Sequence, residues 1–325
     1  MRVAMLVEGW PGVSGAIDAA DRAALTWSTS TPGVHVTAIA VGDGGPRSAD
    51  AADGTAYSVP GVDAIRTSEG LLLAPADGAL RWDPIALGAA LRAIAADADA
   101  ARTVIVPVGD VPPAGDAADV WGASLQDSRE TLADLDLVAL VSSDRPLLGF
   151  HGMSAAVREG READAALAVA AQEQEERWRQ RAQEADEIAS TGTVLLGPRR
   201  LSDQPRTGAA GGMAYSLAAL GARLEAGSHS LARWSGLGKA VEHADVVVAV
   251  VDTLSHAALD HGAAAPAGGL AAARGVPAVV VTSDSHVGKR DLMAAGIHGS
   301  HVGAPGPDGL ADAIARAART WTPVR

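Results

Sequence analysis

The chain has 325 residues, of which 48% are hydrophobic and 20% are charged, as is typical of a globular protein with one large or two medium domains. Its formal net charge of −13 argues against binding to nucleic acids or anionic membranes, because both are bound largely through clustered Lys and Arg. Cysteine is absent, which excludes disulfides, thiolate nucleophiles and cysteine zinc sites. The sequence contains no recognisable signal peptide or membrane span, so we expect a cytoplasmic protein that does not associate with membranes.

Short β-branched runs alternate with Ala-rich helical segments, the pattern expected of βαβ units. The predicted fold class is α/β, with a mostly parallel, Rossmann-like sheet that has helices on both faces. Strands are predicted at Val3–Val7, Val34–Val41, Thr103–Val108, Leu137–Ser142, Val246–Val251 and Pro277–Thr282. Helices are predicted at Ile17–Trp27, Ile85–Ala98, Met213–Glu225, Leu270–Arg274 and Gly309–Trp321.

The longest helical candidate runs from about Ser154 to Ile188 and is heavily charged over Glu173–Glu187. An exposed helix that covers one face is favoured over a partner-binding surface. Gly, Pro and Ser cluster at Gly42–Pro60 and Gly192–Gly208, which indicates two domains. We expect residues 1–60 and 240–325 to form the Rossmann-like domain. Residues 61–239 would form an inserted α/β domain that contains the long helix and a Gly-rich turn.

Acidic residues follow four of the predicted strands, namely Glu8, Asp43, Asp252 and Asp284. In open parallel sheets, ligands bind beyond the carboxyl ends of the strands. Carboxylates collected there could serve as general bases or hold magnesium, with Asp252 as the candidate metal ligand. The alternative is that these acids cap the following helices or face water.

Two glycine-rich turns could approach a ligand closely. Asp43-Gly44-Gly45 places a carboxylate beside a flexible backbone, although this is also an ordinary loop sequence. Gly208-Ala209-Ala210-Gly211-Gly212 opens a predicted helix, where unpaired N–H groups favour an anion. The alternative is that its small residues only permit tight packing of helix on sheet. The sequence favours neither interpretation over the other.

Other nucleotide and metal signatures are absent or weak. Gly236-Leu237-Gly238-Lys239 has the wrong spacing and ending for a P-loop, and no Gly-x-Gly-x-x-Gly follows the first strand. Asp252, His256 and Asp260 have helical spacing that suits a zinc site, yet scattered surface histidines are the more common explanation. Ser283-Asp284-Ser285-His286 has hydrolase residue types, but adjacent positions do not supply the geometry of a triad.

The Gly208–Met213 turn, followed by Leu217–Gly227, resembles the bacterial two-domain (type I) glycerate kinases, which carry a Gly-Ala-Gly-Ala-Ala-Gly-Gly loop and then a helix. Other segments match the family in the same order along nearly the whole chain. They are the opening strand Met1–Val7, the Asp-Gly-Gly turn at Asp43, Asp83-Pro84, Arg145–Gly149 and the strand at Ala244–Ala249.

The resemblance implies that the protein transfers phosphate from ATP to glycerate with Mg²⁺, and that its substrate is a glycerate-like small molecule. It leaves open whether the chain forms a homodimer. It implies catalytic roles for Asp43, Glu8 and Arg145. Phosphate or substrate would be bound by the two glycine-rich turns, at Gly44, Gly45, Gly208, Ala209, Ala210, Gly211 and Gly212.

Several positions depart from the family's pattern. The lysine that follows the first strand is missing, and Val250–Ser255 stands where Gly-Glu-Gly-Arg-x-Asp should. The family's phosphate loop falls at Pro107–Ala117, where Pro112 and Pro113 remove two N–H donors and Asp110 places negative charge where a phosphate would sit. Arg145 and Arg206 are the cations best placed by sequence to compensate.

These observations leave three functions open, two of them enzymatic. The first is a divergent kinase of glycerate or a similar hydroxy acid. The second is a non-catalytic relative that binds a metabolite or a protein partner. The third function, metal-dependent hydrolysis around Asp252 and His256, is a distant one.

Overall fold

The computed structural model describes residues 1–149, 151–152, 165–189 and 200–322. The strands, in chain order, are β1 Arg2–Val7, β2 His35–Ala40, β3 Thr55–Ala56, β4 Val62–Arg66, β5 Leu71–Pro75, β6 Thr103–Gly109, β7 Asp136–Val141, β8 Arg223–Ala226, β9 Val246–Leu254, β10 Ala278–Ser285 and β11 Gly299–Val302. The helices are α1 Gly15–Ser30, α2 Pro84–Ala96, α3 Leu125–Thr131, α4 Ala165–Ala189, α5 Met213–Ala219, α6 Gly227–Trp234, α7 Leu237–Val241, α8 His256–His261, α9 Ala264–Arg274, α10 Lys289–Ala294 and α11 Pro307–Trp321.

The chain forms two compact units. The terminal unit consists of Met1–Asp43, Asp50–Ala52 and Gly227–Arg325, and the central unit of Gly44–Ala49 and Asp53–Ala226. The sequence-based division had its boundaries at 60/61 and 239/240. The observed terminal unit therefore also includes α6 and most of α7.

The terminal unit is built on a parallel five-stranded sheet with the strand order β11-β10-β9-β1-β2. The run Val246–Val251 is fully buried, as expected of a β-branched strand that is covered on both faces. Side chains from α1 and α11 pack on one face of the sheet. Side chains from α6, α7 and α9 pack on the other.

The central unit contains a mixed six-stranded sheet with the order β3-β4-β5-β6-β7-β8. β3, β4 and β5 form an antiparallel meander, and β5 to β8 are parallel. Beside the sheet, Trp121, Trp178 and Tyr215 pack edge to face, with ring centroids 5.4 to 6.5 Å apart. This aromatic cluster joins α4 and α5 in one core.

The predicted α/β class and the mostly parallel sheets are confirmed, and each of the six predicted strands overlaps an observed one. The predicted helix Met213–Glu225 is partly wrong, because α5 ends at Ala219 and the chain continues into β8. Gly221 has φ +105, a conformation that ends the helix there. The predicted helix 154–188 is observed from Ala165 to Ala189, and its first residues lie outside the described ones.

In the described part of the chain, no helix is both long and apolar enough to cross a bilayer.

Candidate functional site

The carboxyl end of β6 is fixed against the Asp-Gly-Gly turn. Gly109, the last residue of β6, has φ +63 and donates its N–H to the carbonyl oxygen of Gly44 at 2.9 Å. A Cβ at position 109 would lie 2.7 Å from the Cα of Gly45, so only glycine allows this approach. The turn is closed by the Gly44 N–H, which donates to the Ser48 hydroxyl at 3.1 Å. The next residue, Asp110, is thereby held at the carboxyl ends of the strands.

The Asp110 carboxylate joins two segments that are far apart in sequence. One oxygen, Oδ1, accepts the Ala210 N–H of the glycine-rich turn at 2.9 Å. The other, Oδ2, accepts from Nη2 of Arg145 at 2.5 Å. Both side chains of this ion pair are about one third exposed, at 30% and 32%. The backbone tightens the same junction, because the Gly208 N–H donates to the Arg145 carbonyl at 2.9 Å.

Arg145 has a donor that the described residues leave unused. Its Nε is buried and has no hydrogen-bond partner in the part of the chain that the structure describes. A guanidinium presents its N–H groups in a planar fork that suits a carboxylate or a phosphate. Among the described residues, the Arg145 guanidinium therefore has an unsatisfied N–H group beside its ion pair with Asp110.

The conformation of the glycine-rich turn Gly208–Gly212 is consistent with both interpretations of its sequence, namely anion binding and tight packing. Ala210, Gly211 and Gly212 have successive left-handed φ angles of 51°, 62° and 92°, and the Ala210 N–H binds an anionic group, the Asp110 carboxylate. The turn also packs tightly, because a Cβ on Gly212 would lie 2.4 Å from Nε1 of Trp178. That Nε1 donates to the Gly211 carbonyl at 3.2 Å.

The loop after Asp110 has few donors for a ligand. Pro112 and Pro113 have no N–H, and the Ala114 N–H donates to the Trp82 carbonyl at 2.8 Å. Asp116 ends the loop and forms an ion pair with Arg181 on α4. Where the family resemblance predicts a phosphate loop, two N–H groups are thus missing and a third is bound within the protein.

Two of the candidate catalytic acids, Glu8 and Asp43, belong to the terminal unit. Glu8 follows β1, and its Oε1 accepts the Ala263 N–H at the start of α9. Glu8 thus caps a helix distant in sequence, whereas the alternative kept in the sequence analysis was that strand-end acids cap the helices that follow them. Asp43 is exposed and directly precedes Gly44 in the chain. The catalytic roles of both residues stay predictions.

The helical arrangement expected for Asp252 and His256 is wrong. Asp252 lies on the exposed end of β9, whereas His256 is the first residue of α8. The Asp252 carboxylate accepts from the Ser283 hydroxyl at 3.1 Å, and His256 lies 3.6 Å from Asp291. Among the described residues, no group of three or more His, Asp or Glu side chains is placed to hold a metal ion. Asp252 as a metal ligand stays a prediction.

The segment Ser283–His286, which has hydrolase residue types, does not place a serine, a histidine and an aspartate in a chain of hydrogen bonds. His286 pairs with Asp284 at 2.9 Å, with both side chains more than 60% exposed. The Ser283 hydroxyl instead points to Asp252, where its one proton is shared between the carbonyl oxygen at 2.8 Å and the carboxylate at 3.1 Å.

Within the central unit, the structure brings Gly44, Gly45, Arg145 and the Gly208–Gly212 turn together around one residue, Asp110. The sequence analysis placed Asp110 at the phosphate loop but did not include it among the functional residues. The signal was available, since Asp110 directly follows a buried strand, as Glu8 does.

Comparisons with known proteins agree with this architecture. The model of the glycerate kinase family matches residues 91–324. Among solved structures, a protein from Salmonella typhimurium LT2 named glycerate kinase 2 has a similar fold, with a TM-score of 0.61 and 14% sequence identity. The match covers 98% of this chain and 96% of that one. A search of curated protein sequences finds no match.

Proposed function

Because the chain belongs to the glycerate kinase family, we propose that it binds glycerate or a similar small hydroxy acid in the central unit. The acid's carboxylate would be held by Arg145 and by the Ala210 N–H. The observation that carries this proposal is the Asp110 carboxylate, which already makes both contacts, at 2.5 and 2.9 Å. A ligand carboxylate has the same charge and geometry and can therefore replace it.

The family name implies ATP as the phosphate donor, and the resemblance adds Mg²⁺. The residues of the central unit do not fit the polyphosphate of ATP. Asp110 holds a negative charge on the anion-binding donors, and Pro112 and Pro113 lack N–H groups. Loss of a single electrostatic stabiliser commonly lowers a rate by about 10²–10³. We therefore propose that ATP-dependent phosphorylation of the bound acid is slower than in an intact site by at least that factor.

A second candidate is a non-catalytic relative that binds a metabolite or a protein partner. The same Asp110 contacts favour it, because the Asp110 carboxylate repels a phosphate group unless a ligand displaces it. Where the metabolite is a glycerate-like acid, the two candidates share the acid-binding site and differ only in turnover.

Binding is tested by titrating D-glycerate into the wild-type protein and into Asp110→Asn. Asparagine removes the competing charge, so we expect D-glycerate to bind Asp110→Asn about tenfold more tightly or better. Arg145→Gln should abolish binding in both backgrounds. Asp136→Asn, which breaks the exposed ion pair with Arg223, is the matched control and should leave affinity unchanged. Equal affinity in wild type and Arg145→Gln would contradict the proposal.

Turnover is tested by ADP release with Mg-ATP and D-glycerate. Slow release in the wild type that is lost in Arg145→Gln and Asp43→Ala supports phosphorylation and the predicted role of Asp43. Absence of ADP in wild type and Asp110→Asn, with D-glycerate binding retained, selects the non-catalytic candidate.

A further inference from the structure

Three helices of the terminal unit, α6, α7 and α9, pack against one another and line an open pocket of about 450 Å³. This volume is within the range of pockets that bind small molecules, roughly 300–1,000 Å³. The cavity shares no residue with the acid site proposed for the central unit. It is a separate feature of the chain.

The inner surface of the cavity is apolar and is kept open by glycine. Ala232, Pro266 and Leu270 provide apolar wall. Gly238 and Gly269 also line it, and a Cβ built on either residue would meet no atom within 4 Å. Glycine within a helix is less favourable than alanine by roughly 0.5–1 kcal/mol. Both helices therefore have open space where a side chain would otherwise narrow the cavity.

The remaining wall is basic. His229 and Arg233 are four residues apart on α6 and so lie on the same face of the helix. Lys239 on α7 also lines the cavity, and the chain contains only one other lysine. No Asp or Glu is among the described residues that line the cavity. Arg233 and Lys239 thus bring two cationic side chains to one pocket of a chain whose net charge is −13.

We propose that this cavity, which we call the α6–α7–α9 pocket, binds a small organic phosphate with an apolar or planar body. Arg233 and Lys239 would hold the phosphate, whose charge is about −1.5 to −2 at neutral pH. The body would pack on Leu270 and Pro266, in the space left by Gly238 and Gly269. An inorganic anion would use only the basic wall, and a neutral ring only the apolar one. The pocket therefore selects molecules that combine both.

Phenyl phosphate is the simplest probe with both parts. Titration of the full chain by calorimetry should show saturable binding with one site per chain. Inorganic phosphate and phenol should each bind at least about tenfold more weakly, since each lacks one of the two contacts. Binding should weaken as salt is added, because the rim charges are exposed.

Two pairs of variants test the pocket itself. Lys239→Gln should weaken phenyl phosphate binding by about tenfold or more, whereas Lys289→Gln, the same change at the other lysine, should have no effect. Gly269→Trp should fill the pocket and abolish binding, whereas Gly269→Ala should keep it.

The outcome is independent of the acid site, because Arg145→Gln should bind phenyl phosphate as wild type does. If phenyl phosphate binds no better than inorganic phosphate, or if Lys239→Gln and Gly269→Trp leave its affinity unchanged, the pocket does not recognise organic phosphates. The proposal is then overturned, whatever D-glycerate does.

Discussion

At the scale of single residues, Asp110 shows how one carboxylate can stand in for a ligand. It accepts from the Ala210 N–H and the Arg145 guanidinium, two donors that an external carboxylate would also need. The ion pair is about one third exposed, so solvent screens it and a competing anion can reach it. If glycerate binds as proposed, the affinity of the site is therefore set by competition between the glycerate carboxylate and the Asp110 carboxylate.

His301 gives the terminal unit a pH dependence. Burial lowers the pKa of His301 below its ordinary value of 6.5, and the Arg316 charge lowers it further. As the pH falls below about 6.5, the unfolded chain binds a proton at this position before the folded chain does, so the free energy of unfolding decreases. The neutral ring also accepts the Trp321 indole N–H at 3.3 Å.

We expect His301→Gln to reduce the loss of stability between pH 7.5 and 5.5, measured as the free energy of unfolding in urea. Substitution of the exposed His35 by Gln serves as the control for removing a histidine. If His301→Gln and His35→Gln show the same pH dependence, burial of His301 is not its cause.

At the scale of elements, the long helix α4 and the glycine-rich turn depend on each other. Trp178 of α4 lies against Gly212 and donates to the Gly211 carbonyl. Asp186 of α4 is buried and accepts from the Tyr215 hydroxyl of α5 at 2.8 Å. Burial and the adjacent Asp186 carboxylate raise the pKa of Tyr215, so its hydroxyl stays a donor over the whole physiological range. The conformation of the turn is therefore set partly by the helix that packs on it.

We predict that Gly212→Ala destabilises the central unit by about 2–4 kcal/mol, which combines left-handed strain with the clash against Trp178. Gly221→Ala is the matched variant, because Gly221 also has positive φ but a Cβ there meets no atom within 4 Å. It should lose only about 1–2 kcal/mol. Urea unfolding measures both, and equal losses would show that Trp178 is not the constraint.

The elements that the sequence predicted are those with strong local patterns. Val246–Val251 is a buried parallel strand because its β-branched run admits little else. β4 was missed because Val62–Arg66 is short and carries Asp63, and only pairing with β3 and β5 makes it a strand.

The candidate site likewise has one part that the sequence could predict and one part that it could not. The turn at Gly208 could be found from its small residues, which have a local signature. Its partner could not be identified, because Asp110 and Ala210 are a hundred residues apart and only the fold brings them into contact.

At the scale of the whole molecule, each unit has its own hydrophobic cores. The core of the central unit draws on residues from Val59 to Leu224, and those of the terminal unit on residues from both chain ends. The terminal unit cannot form from one end alone, because β1 lies between β2 and β9 in its sheet.

We therefore predict that a fragment of residues 44–226 folds alone and unfolds cooperatively in urea, while a fragment of residues 1–43 stays unfolded. Adding residues 227–325 to residues 1–43 should restore a dispersed NMR spectrum. An unfolded 44–226 fragment would show that the central unit needs the terminal one.

The central position of β1 also orders events during synthesis. β2 ends at Ala40, and its sheet continues only with β9 at Val246, about 200 residues later. At roughly 5–20 residues per second, the ribosome needs about 10–40 s to make the intervening chain. Throughout that time α1 can cover one face of β1 and β2, but the other face, which packs on α6, α7 and α9 in the folded unit, has no partner. The central unit is complete before those helices are made. The nascent chain is therefore most exposed to aggregation, and most dependent on chaperones, at its amino end.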